Sequence, residues 1–100
     1  GNDALENATT GAANTAIGAY ALRVNTADNN TAVGNQAMIA NTTGANNVAV
    51  GTFATDANTT GSENTSMGHA SLSSNTTADA NTSVGFTSML ANTTGAYHSR

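Results

Sequence analysis

The chain has 100 residues, a formal net charge of −4 and only 8% charged residues, so it has too little positive charge to neutralise the phosphates of a nucleic acid. Its 38% hydrophobic share is mostly alanine, with 4% aromatic residues, which leaves few large side chains for an ordinary globular core. Since it contains no cysteine and no apolar run of membrane-spanning length, the sequence predicts no disulfide, no thiolate metal site and no membrane insertion.

One short motif organises the chain: asparagine, threonine or valine, a small residue, an aliphatic residue and glycine. It recurs at 14–18, 30–34, 47–51, 64–68 and 81–85, and its closing glycines lie 16 or 17 residues apart. A fixed period of this size indicates stacked repeats. We number the repeat from 1 to 17, beginning after each Asn-Thr-Thr, with one residue missing after Asn25-Thr26. Residues 1–10 and 95–100 match partial turns without a linker, so the sequence predicts a single repeat array over 1–100.

Each turn is expected to contain two strand-like pieces, which predicts an all-β fold, a parallel β-solenoid of about six turns. In the first piece, positions 5 and 7 lie on one face because side chains alternate along a strand. Position 7 is aliphatic, so we expect it to point inward; it holds Ile17, Val33, Val50, Met67 and Val84. The second piece centres on position 12, and we expect a facing core column of Leu5, Leu22, Met38, Leu72 and Met89, interrupted by Thr55.

Helix and hairpin alternatives fit the sequence less well. Asparagine, threonine and glycine recur in every turn, and each of them costs helix stability relative to alanine. A meander of hairpins would favour Asn-Gly or Asp-Gly turns, and neither dipeptide occurs. Glycine instead suits the corners of a solenoid, since it tolerates positive φ.

The hexapeptide at 46–51, Asn-Asn-Val-Ala-Val-Gly, resembles the Asn-Ser-Val-Ala-Ile-Gly signature of trimeric autotransporter adhesin heads. The wider pattern, Asn-Thr-Ala-Val-Gly followed by Ala-Leu and Asn-Thr-Thr-Gly, is similar to repeats of phage tail fibres. The resemblance implies a left-handed β-roll in which three chains pack side by side, and an extracellular location at a cell surface or virion. The chain departs from adhesin heads in its longer period and in having threonine at position 5 of four copies.

Two columns of asparagine are predicted to be structural, because stacked asparagine side chains hydrogen-bond from one strand to the next. They occupy positions 4 and 15: Asn14, Asn30, Asn47, Asn64, Asn81, Asn41, Asn58, Asn75 and Asn92. The chain also contains eight Asn-X-Ser/Thr sequons, which leaves N-glycosylation as an alternative role for some of these asparagines. The Asn-Thr-Thr repeat generates such sequons automatically.

No catalytic constellation is expected. Asp28 and Asp79 share position 2 but lie three turns apart, about 14 Å at the spacing of stacked strands, which is too far for an acid–base pair. His69 and His98 occupy different positions of the repeat and have no metal-ligand spacing around them. The sequence therefore predicts no enzyme activity, cofactor or metal.

The unbroken register and sparse charge predict a structural or adhesive fibre segment: a phage tail fibre, a surface adhesin or a self-assembling filament. We expect its partners to be copies of itself, in a homotrimer or a head-to-tail filament, together with a cell-surface glycan or receptor. Neither end resembles a capping repeat, which favours a longer array or stacked copies. The alternative is ice binding, or binding of another flat surface, through a column of threonines at position 17, Thr43, Thr60, Thr77 and Thr94, and the asparagine columns.

Overall fold

The computed structural model describes residues 3–6, 11–96 and 99. Five strands lie in chain order in one parallel sheet: β1 (Thr15–Ile17), β2 (Thr31–Val33), β3 (Val48–Val50), β4 (Thr65–Met67) and β5 (Thr82–Val84). Equivalent residues pair along the stack, so that Ala32 lies opposite Ala49. No helix occurs in the described part of the chain. The fold is therefore an all-β parallel solenoid, as the period predicts.

Four turns separate β1 from β5, and partial turns continue the stack at both ends. The N–H of Leu5 donates to Ala21 O at 2.9 Å, and Ser99 forms a parallel bridge with Thr82. The expected count of about six turns includes these partial ones, and residues 1–2, 7–10, 97–98 and 100 lie outside the described residues. The described structure thus contains about four complete turns rather than six.

Glycine at position 8 ends each strand and turns the chain away from the sheet. The five glycines there have φ between 121° and 135°, which L side chains rarely adopt. The turns also stack closely at this point: a Cβ on Gly51 would lie 2.5 Å from Gly68 O. Position 8 therefore needs glycine for two independent reasons, its conformation and the space available.

The interior of the solenoid is narrow and filled mainly by small side chains. Alanine or serine occupies positions 6 and 11, and most of these residues are fully buried. In the described residues the large apolar side chains that enter the interior are those of position 12: Leu22, Met38 and Leu72 are 0% exposed, and Leu5 packs against the same cluster. Met89 is half-buried. This column supplies the large apolar side chains of the core.

The expectation that position 7 points inward is wrong. Alternation along the strand is present, but its inward member is the small residue at position 6, such as Ala32 and Ala49. Position 7 faces outward: Ile17 is 57% exposed, and the whole expected column of Ile17, Val33, Val50, Met67 and Val84 is half-buried or exposed. The physical reason is space, because the leucines and methionines of position 12 already fill the room opposite the sheet.

The second strand-like piece expected around position 12 is a pair of consecutive turns. The N–H of Ala37 donates to Gly34 O at 3.2 Å, and that of Asn41 donates to Met38 O at 3.1 Å. Met38 itself adopts a left-handed conformation with φ of 52°, and its N–H bonds to Ala54 O in the next turn. The turns bring the position-12 side chain into the interior while the backbone still bonds along the stack.

Gly51→Ala should strongly destabilise the fold, because it adds both a positive-φ strain and a clash with the next turn. Gly85→Ala is the matched control, since Gly85 has φ of 127° but its added Cβ would have its nearest contact, Ser88 Cβ, at 3.8 Å. The difference in melting temperature between the two variants gives the destabilisation caused by the clash alone. Equal melting temperatures would contradict the close stacking of turns.

Candidate binding surfaces of the solenoid

Asparagine at position 15 forms a buried ladder along the solenoid axis. Asn58 Nδ2 donates to Asn41 Oδ1 at 2.8 Å, and Asn75 Nδ2 donates to Asn58 Oδ1 at 2.8 Å. The same pattern joins Asn41 to Asn25 and Asn92 to Asn75. Each amide also donates to the backbone carbonyl at position 1 of the next repeat, two or three residues later, as Asn58 does with Gly61 O at 2.9 Å. The amide groups of this column are thus used in hydrogen bonds within the solenoid.

A second asparagine ladder runs at position 4 and joins side chains to the backbone. Asn47 Oδ1 accepts from the N–H of Asn64 at 2.9 Å, while Asn47 Nδ2 donates to Gly61 O at 2.9 Å. The equivalent bonds recur from Asn14 to Asn81. No buried side-chain nitrogen or oxygen is left without a partner in the described residues. The interior is therefore polar yet fully hydrogen-bonded.

Burial of the asparagine ladders bears on two alternatives raised by the sequence, N-glycosylation and ice binding through the asparagine columns. Asn41, Asn58, Asn64, Asn75 and Asn81 head sequons, and all are buried, so a glycosylating enzyme or an ice surface cannot reach their amides in the folded chain. Asn29 is the exposed sequon asparagine within the described ranges. The asparagine columns thus hold the turns together and leave surface binding to other residues.

The threonines that recur at positions 5, 16 and 17 of the repeat have three different surroundings. At position 16 the hydroxyls bond along the stack, as Thr42 Oγ1 does with Thr59 O at 3.1 Å. At position 17, Thr43, Thr60, Thr77 and Thr94 are exposed. At position 5, Thr15, Thr31, Thr65 and Thr82 project outward from the sheet and form no side-chain hydrogen bond with the part of the chain that the structure describes.

Positions 5 and 7 together form what we call the outer sheet face. Each strand contributes two outward residues: Thr15 and Ile17, Thr31 and Val33, Val48 and Val50, Thr65 and Met67, and Thr82 and Val84. None of these ten residues is ionisable. Because the strands pair in register, the face has one row of mostly threonine beside one row of aliphatic residues.

Three rings stack at the corner that follows the outer sheet face. Phe53 meets His69 edge to face with centroids 5.7 Å apart, and His69 stacks on Phe86 at 5.3 Å with planes 19° apart. Phe86 is 75% exposed. Only His69 and Phe86 stack face to face, and both of these rings are exposed.

Charged residues are few, and the described residues contain one ion pair. Arg23 Nε lies 2.7 Å from Glu6 Oε1, and its guanidinium lies over the Tyr20 ring at 5.6 Å. Asp28 and Asp79 each accept a backbone N–H from the preceding turn, those of Ala12 and Ser62.

Within the described ranges, no group of three acidic or histidine side chains is arranged to hold a metal ion, and no helix is long and apolar enough to cross a membrane.

Comparison with protein-family models, curated proteins and solved structures gives no match to this chain. The resemblance to adhesin heads and tail fibres therefore stays a prediction made from the motif.

Asn58→Ala should lower the free energy of unfolding by about 2–4 kcal/mol, since each buried polar group left unpaired costs about 1–3 kcal/mol. The substitution removes the donor to Asn41 Oδ1 and the acceptor of Asn75 Nδ2. Asn35→Ala is the control, because Asn35 is exposed and its side chain forms no hydrogen bond with any described residue. Urea denaturation measures both; similar losses would show that the ladder does not stabilise the stack.

Asp56 should make stability depend on pH. Burial raises the pKa of its carboxyl above the ordinary value of 3.8, against hydrogen bonds from the N–H groups of Asp56 and Ala57. A raised folded pKa means that ionisation costs stability as pH rises through it. Asp56→Asn should therefore melt at a higher temperature than the parent at pH 7, and the gain should vanish below pH 3.8.

Glu63→Gln, at an exposed acid, controls for the change in net charge. A gain of equal size from Glu63→Gln would attribute the effect to net charge rather than to burial of Asp56.

Proposed function

We propose that this chain is a structural segment of an extracellular fibre, a rod whose length is set by its number of 17-residue turns. The observation that supports it best is the set of unbroken ladders along the axis. Backbone bonds join successive turns at many positions, including Thr31 to Asn47, Val48 to Asn64 and Thr65 to Asn81, at 2.8 Å in each case. Two asparagine ladders reinforce them throughout.

The residues that recur in every turn hold the turns of the solenoid together. Positions 4, 6, 11, 12 and 15 point into the interior, and position 8 allows the turns to approach. Each strand contacts only its neighbours in the sheet, so stability is expected to build up turn by turn, as in other solenoids. Such a design favours a rod of constant cross-section, and the described residues already extend 31 Å along the long axis.

The extracellular setting and the adhesive role are supported by the resemblance of the motif alone. The homotrimer, the head-to-tail filament and the glycan or receptor partner stay predictions. A rod of this kind positions other parts of a fibre, whichever of these partners it has.

Inserting a second copy of residues 44–60 after Thr60 tests whether the segment is an extendable rod. The insertion should lengthen the particle by about 4.8 Å, the spacing of paired strands, and should raise the melting temperature because it adds one more stacked interface. Small-angle X-ray scattering and circular dichroism measure the two changes. An insert of the same composition in shuffled order is the control.

The rod proposal fails if the repeat insertion unfolds the chain or destabilises it as much as the shuffled insert does. In that case the turns would not be interchangeable, and the rod could not be lengthened by adding repeats.

A further inference from the structure

The outer sheet face combines free hydroxyl groups with apolar side chains and has no charge. The hydroxyls of Thr15, Thr31, Thr65 and Thr82 have no hydrogen-bond partner among the described residues, in contrast to those of position 16, which bond to carbonyl groups. Beside them the aliphatic row is exposed at Ile17, Met67 and Val84, with Ile17 57% and Val84 56% exposed, and half-buried at Val33 and Val50. A ligand of this face must therefore accept and donate hydrogen bonds at regular intervals and require no counter-charge.

The geometry of the face is a regular two-dimensional grid. Paired strands repeat at about 4.8 Å, and positions 5 and 7 of one strand lie about 6.6 Å apart. The strand spacing is close to the shorter repeat between oxygen atoms on exposed planes of hexagonal ice. Threonine, valine and isoleucine are stiff at χ1, so nine of the ten outward side chains hold their methyl and hydroxyl groups in few orientations.

The area of the face argues against a second protein chain as its only occupant. Five strands of three residues cover roughly 20 × 10 Å. A stable protein interface buries about 800 Å² on each partner, about four times that footprint. An ice crystal has no such minimum area. Its surface is continuous, so the whole face can contact it, and adsorption does not require a second protein to be buried.

We propose that the outer sheet face binds ice. The threonine hydroxyls hold water molecules at the strand spacing, and these waters join the lattice, while the methyl groups of threonine and of the position-7 residues pack into the gaps between them. A bound array of this kind blocks growth of the crystal at the points of attachment. This activity does not depend on the fibre role.

The face differs from the one that the sequence favours for ice binding. That column, Thr43, Thr60, Thr77 and Thr94, is exposed, but position 16 beside it directs its hydroxyls to carbonyl groups of the next turn. The position-17 column therefore lacks a second row of free groups at a fixed spacing. The outer sheet face has both rows.

Thr31→Tyr tests the proposal, with thermal hysteresis measured in a nanolitre droplet assay on the full chain. The tyrosine stands above the plane near the centre of the face and should keep neighbouring threonines from the lattice, so most of the hysteresis and crystal faceting should be lost. Thr60→Tyr is the matched control, since Thr60 is an exposed threonine of the position-17 column. It should behave like the parent. Circular dichroism should show equal folding of both variants, because tyrosine is favoured in strands such as β2 and Thr60 is exposed outside the strands.

Val48→Thr provides a second variant in case Thr31→Tyr does not fold. It completes the row of threonines in β3 and should increase the hysteresis at equal protein concentration.

Three results would overturn the proposal: a parent chain without hysteresis, loss of activity in Thr60→Tyr with retention in Thr31→Tyr, or a fall in activity on Val48→Thr. Light scattering on the parent and on Thr31→Tyr identifies the competing occupant. If the parent forms oligomers that Thr31→Tyr separates, and shows no hysteresis, the face is a contact between copies of this chain and does not bind ice.

Discussion

The width of the interior is the constraint on which the rest of this structure depends. Seventeen residues form a complete turn, and neighbouring turns approach so closely that a Cβ on Gly51 would overlap the backbone of Gly68. One column of leucine and methionine fills most of the apolar interior, and the strand opposite has room only for alanine or serine. The outward direction of valine, isoleucine and methionine follows from this lack of space.

A narrow interior also explains why so much of it is polar. The asparagine ladders satisfy backbone carbonyl and N–H groups at the corners, where a turn without regular pairing would otherwise bury them unpaired. Even the break in the apolar column is compensated: Thr55 replaces leucine there, and its hydroxyl lies 2.5 Å from that of Ser66, a serine in place of the alanine of earlier turns. Polar pairs thus substitute for apolar contact without leaving a group unsatisfied.

Period, parallel pairing and fold class follow from the sequence because they depend on the spacing of the motif alone. The side of the sheet that faces inward does not, since alternation allows two choices and hydrophobicity favours the wrong one at Val33 and Val50. The turns around position 12 also escape sequence reasoning: Leu22, Met38 and Leu72 adopt positive φ, for which leucine and methionine give no local signal. The outer sheet face also does not follow from the sequence, because Thr31 and Val33 lie on the surface only if the other side of the sheet faces inward.

The most direct test of a narrow interior is the reactivity of single cysteines introduced into β3, since the natural chain contains none. Ala49→Cys places a thiol at a fully buried position, and Val50→Cys places one on the outer sheet face. Labelling with a small thiol reagent under native conditions should be fast for Val50→Cys and should require unfolding for Ala49→Cys. Fast labelling of Ala49→Cys with protection of Val50→Cys would reverse the sheet and contradict this account.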